Sequence, residues 1–337
     1  MCTFAKCFQK IVLMNLDEIK YPIETEFKRF EENFRSAFYS ESALLEQIND
    51  YLLQQNGKKL RPVIVLLAAK LCSGACNNAT IDIAVALELL HTASLIHDDV
   101  VDSTFKRHGL PSVNAKWDNK IAVLAGDFFL SKSLFFAAKA ENIKIMTLFS
   151  QIGINLAEGE LFQLAKENYT NITETEYLNI IRKKTALFFA YCAAMGAISV
   201  DTDEHTTTKM GLFGEYLGTS FQIRDDIFDY CENKNIGKPT GNDIREGKIT
   251  LPLIFALQNS DEKSKTEIIN ILNNNNLDNK NIAKIIDFTC KKGGIEYATD
   301  KMLIYKEKAI AELDIFPDSE LKNSLIACAE FAAQRNF

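Results

Sequence analysis

The sequence predicts an all-α protein. Apolar residues recur at helical spacing along almost the whole chain, the pattern of helices with one buried face. Ala, Leu, Lys and Glu dominate the long segments and favour helix over strand. Only six prolines occur in 337 residues, and none lies between Pro111 and Pro239, so little interrupts helices across that stretch. Strand alternation bounded by tight hairpin signals is not apparent.

The pattern predicts a dozen or so helices, with breaks at seven turn-forming clusters. The first break, Gln55–Lys59, contains Gly57 and precedes Pro62, a proline suited to a helix start. The next, Gly74–Asn78 and Lys106–Ser112, hold Gly74, Gly109 and Pro111. Asp201–Thr206 is a polar cluster, and Asn233–Gly247 carries Gly237, Pro239 and Gly241. Asn273–Asn281 opens on a run of asparagines that reads as a polar loop. Phe316–Ser319 surrounds Pro317. No break resembles a long flexible linker and no repeat of fixed period occurs. Length alone suggests two domains, but the missing linker favours one, residues 14–337. Residues 1–13 read as a disordered tail or a misassigned start ahead of Met14.

Composition excludes several classes. Hydrophobic residues make up 47% and charged residues 25%, which is globular rather than disordered. A net charge of −7 argues against nucleic acid as a partner, and means that an anionic substrate must be held by local cations or metal. No uninterrupted apolar run reaches the ~18 residues of a membrane span, and the N-terminal apolar run is too short for a signal peptide, so a cytoplasmic protein is expected. The eight cysteines are scattered and read as reduced thiols.

Chemistry concentrates in two acidic clusters. In LELLHTASLIHDDVVD, His91, Asp98 and Asp102 fall on one helical stripe with Asp99 beside them. FQIRDDIFDY repeats the DDxxD pattern with Asp225, Asp226 and Asp229. Like charges on apolar helices repel unless something cationic neutralises them. Two such helices face to face would form a cage of up to six carboxylates, suited to Mg²⁺ bridging a diphosphate. Cations alternate with the acids: Lys58 and Arg61 in GKKLRP, Lys106-Arg107-His108, Lys183-Lys184-Thr185, and Lys238 to Lys248 in GKPTGNDIREGK. The alternation suggests acids holding metal and cations holding the rest of a phosphate-rich substrate.

The order of these motifs, with KRHGLPSVNAKWDNKIAVLAGD after the first acidic cluster and KKTA before the second, resembles the trans-isoprenyl diphosphate synthases, or polyprenyl synthetases. The resemblance spans about residues 40 to 260, and is strongest to bacterial long-chain synthases that make quinone side chains. It implies antiparallel helices around a deep central cavity, the isoprenoid synthase fold, as a homodimer. It also implies a reaction: an allylic diphosphate ionises with Mg²⁺ assistance, and the carbocation is attacked by isopentenyl diphosphate. By motif, Asp98 and Asp102 would ligate two Mg²⁺ ions and Asp225 a third, with Asp99, Asp226 and Asp229 in the same acidic set. Lys58, Arg61, His91 and His108 match positions that hold isopentenyl diphosphate. Arg107, Lys184 and Lys238 match those that hold the allylic diphosphate. Lys184, Thr185 and Gln222 would lie at the reacting end, and His97 would be a structural hydrogen-bond partner.

Two details refine the expectation. The family usually has a second arginine where this chain has His108, and a shorter, mostly neutral side chain predicts weaker, more pH-dependent isopentenyl diphosphate binding. Short-chain members place bulky residues four or five positions before the first motif. Here those positions are Ser94 and Ala93, both small, which points to a long product. The Phe128-Phe129 and Phe135-Phe136 pairs would form either a deeper floor or ordinary core. A short-chain farnesyl or geranylgeranyl synthase is the alternative, as is a non-catalytic subunit of a heteromeric synthase, although such subunits tend to lose acidic-motif residues. A terpene cyclase would not need the second diphosphate site that GKKLRP and Arg107 suggest. Transient membrane contact would serve release of an oily product.

Overall fold

The computed structural model describes residues 14–55, 57–107, 109–165, 172–231, 240–273 and 277–334. The chain opens with α1 (Leu16–Lys20), α2 (Glu24–Ala37), α3 (Ala43–Leu53), α4 (Leu60–Ser73) and α5 (Asn78–Val101). A two-stranded hairpin, β1 (Lys106–Arg107) with β2 (Leu110–Pro111), leads into α6 (Val113–Lys116), α7 (Asn119–Ala138), α8 (Ile143–Ala165) and α9 (Glu174–Ile181). A π-helical turn, Arg182–Ala186, joins α9 to α10 (Leu187–Ile198). Then come α11 (Glu204–Phe228), α12 (Asn242–Arg245), α13 (Leu251–Gln258), α14 (Glu262–Asn273), α15 (Asn279–Lys291), α16 (Gly294–Glu312) and α17 (Glu320–Gln334). The hairpin departs from the sequence reading. Its strands are only two residues long, too short to show alternation, and Gly109 at φ +81° makes the turn.

Local chemistry sets the helix ends that matter. Asn77 caps α5 by accepting from the Thr80 amide at 2.9 Å, and the Thr80 hydroxyl accepts from the Asn77 amide at 3.3 Å. Asp203 caps α11 by accepting from the Thr206 amide at 3.0 Å. Gly74 at φ +81° ends α4 and donates to the Lys70 carbonyl at 2.8 Å.

The core forms two apolar clusters. The larger gathers α2, α4, α5, α7, α10 and the first half of α11, with Phe30, Phe129, Phe189 and Phe213 fully enclosed. The second joins Tyr177, Ile223, Ile227 and Leu251 with Ile285 and Ile295. Helix α11 runs through both, since Met210, Phe213 and Leu217 belong to the first and Ile223 and Ile227 to the second. It lies hard against α10: a Cβ on Gly218 would sit 2.7 Å from the Ala186 Cα, and one on Gly214 would collide with the Phe189 carbonyl. Only glycine allows this approach, which brings the π-turn beside the second acidic motif.

Two helices, Asn78–Val101 and Asn119–Ala138, are long and apolar enough to cross a membrane by length and composition. The first is a core helix whose most hydrophobic window is 72% buried; in the second that share is 39%. Val123, Leu124, Leu134 and Phe135 of α7 lie exposed, as do Ile143, Ile154 and Leu161 of α8. Phe129 and Phe136 are core residues, whereas Phe135 points to solvent. The described cysteines are all free, and burial pushes the Cys192 and Cys328 thiols up to about 12.

Candidate active site

The first acidic motif ends α5. Asp102 stacks one turn beyond Asp98, its amide donating to the Asp98 carbonyl at 2.8 Å. Burial pushes the Asp98 carboxyl up to about 6, with Glu160 and Asp102 raising it further and Lys184 and Arg107 drawing it down. Asp99 departs from its expected place among the metal ligands. It is buried against Arg107, whose Nη2 and Nε donate to it at 2.7–3.1 Å, and Asn114 donates to its carbonyl at 3.1 Å. The DD pair points to two sides of the helix, so one acid feels Lys184 and Glu160 while its neighbour anchors the arginine.

The second motif closes α11 in a similar division of labour. Asp226 is buried and accepts from the Tyr177 hydroxyl at 2.7 Å and the Gln222 amide at 2.8 Å. Burial, with Asp243 and Asp225 nearby, holds its carboxyl well above the usual range despite those donors. Asp229 accepts from the Asn242 amide at 2.8 Å and the Asp243 amide at 3.0 Å, which ties the short helix α12 to the motif. Burial raises its carboxyl too, opposed by those amides.

Besides Arg107, cations approach from two elements, the π-turn and the segment after α12. In the π-turn, Lys184 Nζ donates to Gln163 Oε1 at 3.0 Å and pairs with Glu160, while Lys183 pairs with Glu158. Thr185 Oγ1 donates to Gln222 Oε1 at 2.8 Å, which orients that amide toward Asp226. Lys248 lies 2.7 Å from Glu246 and 3.7 Å from Asp102. Burial alone would lower its ammonium, but Glu246, Asp102 and Asp243 raise it above its ordinary value. A cavity of about 210 Å³ opens between these groups, lined by Lys184, Thr185, Gln222, Asp226, Asp243 and Lys248 together with Tyr177 and the apolar Ile180 and Ile249.

The basic turn supplies a separate group. Arg61, in the first turn of α4, sits with its guanidinium 4.8 Å from the centroids of both Phe188 and Phe189. Burial pushes it below its ordinary value, with Cys192, Glu88 and Asp225 pulling it back. The His91 ring meets Phe188 edge-on at 6.1 Å, and Lys58 lies over Phe331 at 5.3 Å. Phe188 therefore brings Arg61 and His91 to one place. Ala93 is buried, and the Ser94 hydroxyl donates to the His91 carbonyl at 2.9 Å; neither lines the cavity above. His97 lies with Nε2 3.2 Å from the Val123 carbonyl, at a helix contact kept open by Gly126. His108 and Lys238 lie outside the described residues.

Among the described residues no three His, Cys, Asp or Glu side chains close into a preformed metal cage. The carboxylates expected from sequence as one cage are divided: Asp99, Asp226 and Asp229 accept hydrogen bonds from protein donors, while Asp98 and Asp102 lie within the influence of Lys184 and Lys248. An all-oxygen, strained donor set of this kind fits a hard divalent cation that keeps water or phosphate in its other positions. Sequence reasoning passed over Tyr177, Glu160 and Gln163. Glu158 and Glu160, two apart and distant in sequence from the adjacent lysines they meet, offered only a weak signal.

Residues 42–289 match the Polyprenyl synthetase family. The octaprenyl diphosphate synthase of Haemophilus influenzae is 32% identical over 326 residues, covering 96% of this chain and 98% of that one. A polyprenyl synthase from Caulobacter crescentus, crystallised with calcium and isoprenyl diphosphate, superposes with a TM-score of 0.90 at 30% identity, covering 96% and 98% of the two chains. A geranylgeranyl pyrophosphate synthase from Bacteroides thetaiotaomicron is 41% identical, with a TM-score of 0.82 over 94% of this chain and 98% of that one. The paired acidic helix ends, the flanking cations and these full-length likenesses agree: the chain belongs to the polyprenyl synthetase family and is a prenyltransferase.

Proposed function

We propose that the protein condenses isopentenyl diphosphate with an allylic prenyl diphosphate to make a long all-trans polyprenyl diphosphate, destined for a quinone side chain. The observation that carries this reading is that two lysines of the cavity which Asp226 lines also reach the first acidic motif: Lys184 acts on Asp98, and Lys248 lies 3.7 Å from Asp102. Asp98 and Asp102 on one side and Asp225 on the other would hold three Mg²⁺ ions. Bound there, Mg²⁺ neutralises charge that develops on pyrophosphate as the allylic C–O bond ionises.

The chain's own groups do the rest. Arg107, fixed by Asp99, and Lys184, with Lys238, bind the allylic diphosphate. Lys58, Arg61, His91 and His108 hold isopentenyl diphosphate, with Arg61 and His91 registered on Phe188. Thr185 and Gln222 form an oriented pair at the reacting end, and Asp226 fixes the Gln222 amide through its carboxylate. Apolar Ile180, Ile181 and Ile249 keep water from the allylic cation. Ala93 and Ser94 are small at the positions that carry bulky residues in short-chain members, which supports a long product. The exposed apolar faces of α7 and α8 support a homodimer, since a monomer seldom leaves such a face to water.

A second reading has one specific support: the 41% identical relative is named a geranylgeranyl synthase. The test is incubation with farnesyl diphosphate, labelled isopentenyl diphosphate and Mg²⁺, followed by chain-length analysis of the dephosphorylated products. A ladder ending in a long prenyl alcohol is expected. A product stopping after one addition would replace the long-chain reading with the geranylgeranyl one. No incorporation from farnesyl or geranylgeranyl primers would overturn the catalytic reading for the isolated chain and favour a subunit that needs a partner.

A further inference from the structure

Glu158, Gly159 and Glu160 on α8 meet Lys183 and Lys184 of the π-turn as a pair of clasps. A Cβ on Gly159 would lie 2.7 Å from the Lys184 Cγ, 3.1 Å from the Lys183 Cβ and 3.2 Å from the Lys184 amide nitrogen. The two backbones are therefore in contact, and each flanking glutamate takes one lysine. The pairs differ in what else they touch. Lys184 also donates to Gln163, lines the cavity and acts on Asp98. Glu160 acts on Asp98 with the opposite sign. Lys184 thus stands between a carboxylate of α8 and a carboxylate of the first acidic motif.

We propose that Glu160 is a positioning residue that parks Lys184 while no diphosphate is bound, and so makes diphosphate capture depend on divalent metal. The inference rests on the allylic-diphosphate role given to Lys184 above. The side chains of Lys184 and Glu160 are 27% and 23% exposed, so the pair is reachable by an incoming anion and weak enough to exchange. Without metal, an incoming diphosphate meets the Glu160 and Asp98 carboxylates and must displace Glu160 from the ammonium. With metal on the acidic motif the repulsion falls, and Lys184 can turn from Glu160 to phosphate by side-chain rotation alone. The Gly159 contact keeps the backbone of the π-turn in place during that exchange.

The test is calorimetric titration of the full chain with inorganic pyrophosphate, once in EDTA and once in excess Mg²⁺. Glu160→Gln should bind pyrophosphate roughly fivefold more tightly than the natural protein in EDTA, with a smaller change in Mg²⁺. The ratio of the two affinities should fall accordingly. Glu158→Gln, which releases Lys183 instead, should keep the natural ratio. A merely structural role for Glu160 would weaken binding in both conditions, and that result, or an unchanged ratio, overturns the inference. Glu160→Ala repeats the measurement if a melting curve shows the glutamine variant unfolded. A natural protein that takes up no pyrophosphate even with Mg²⁺ would overturn the reading of Lys184 itself, and the inference with it.

Discussion

Asp98→Asn should stabilise the metal-free protein while destroying its use of metal. Asp98 rises from an ordinary 3.8 to about 6 because folding buries it beside Glu160 and Asp102. The folded state therefore binds this proton more tightly than the unfolded chain does. Stability is fully present below about pH 3.8, falls as pH rises through about 6, and is flat above. At about 1.4 kcal/mol per unit, the loss near neutral pH is about 3 kcal/mol. Asparagine carries no charge to bury and escapes that loss. A chain of 337 residues has an unfolding entropy of about 0.7 kcal/mol/K, so the midpoint should rise by about 4 °C. The assay is thermal unfolding in EDTA at pH 7.5 and pH 5, where the gain should shrink to about half. Added Mg²⁺ should raise the midpoint of the natural protein and leave the variant unmoved. A variant no more stable than the natural protein in EDTA at pH 7.5 would refute the claim that Asp98 is a strained, desolvated carboxylate.

Other perturbations test separate parts of the site. Asp99→Asn removes the charge that holds Arg107 and should cost about 2 kcal/mol by denaturant midpoint while raising KM for the allylic substrate. Tyr177→Phe deletes one of the two side-chain donors to buried Asp226 and should cost about 1–3 kcal/mol, read by the same unfolding measurement. Ala93→Tyr should shorten the product to geranylgeranyl or less, and unchanged chain length would refute a chain-length role for Ala93. His108→Arg should lower KM for isopentenyl diphosphate and flatten its pH dependence; equal constants would dismiss the histidine as a determinant.

Much of the site was legible in sequence because helical periodicity alone places Asp98 with Asp102, and Asp225 with Asp229, one turn apart. The breaks at Gly74 and Pro317 were equally plain, since turn chemistry is local. What stayed hidden depended on tertiary contact. Periodicity sets Asp99 off the stripe of Asp98 and Asp102, but nothing in HDDVVD shows that Arg107, in the first strand of the hairpin, occupies it. Tyr177 reads as an ordinary core aromatic until α11 brings Asp226 against it. The π-turn at Arg182–Ala186 leaves no mark on an apolar pattern of mixed three- and four-residue steps.

Both acidic motifs close long helices: α5 has 24 residues and α11 has 25. A helix macrodipole is negative at its carboxyl end, where acidic side chains are usually disfavoured by about 0.3–1 kcal/mol each. Two such poles bearing aspartates form a trap for divalent cations and a barrier to anions. If metal binds there as proposed, the same arrangement implies an order of arrival: metal would lower the barrier before a diphosphate enters. Rising ionic strength would blunt both effects together, since they come from one electrostatic source.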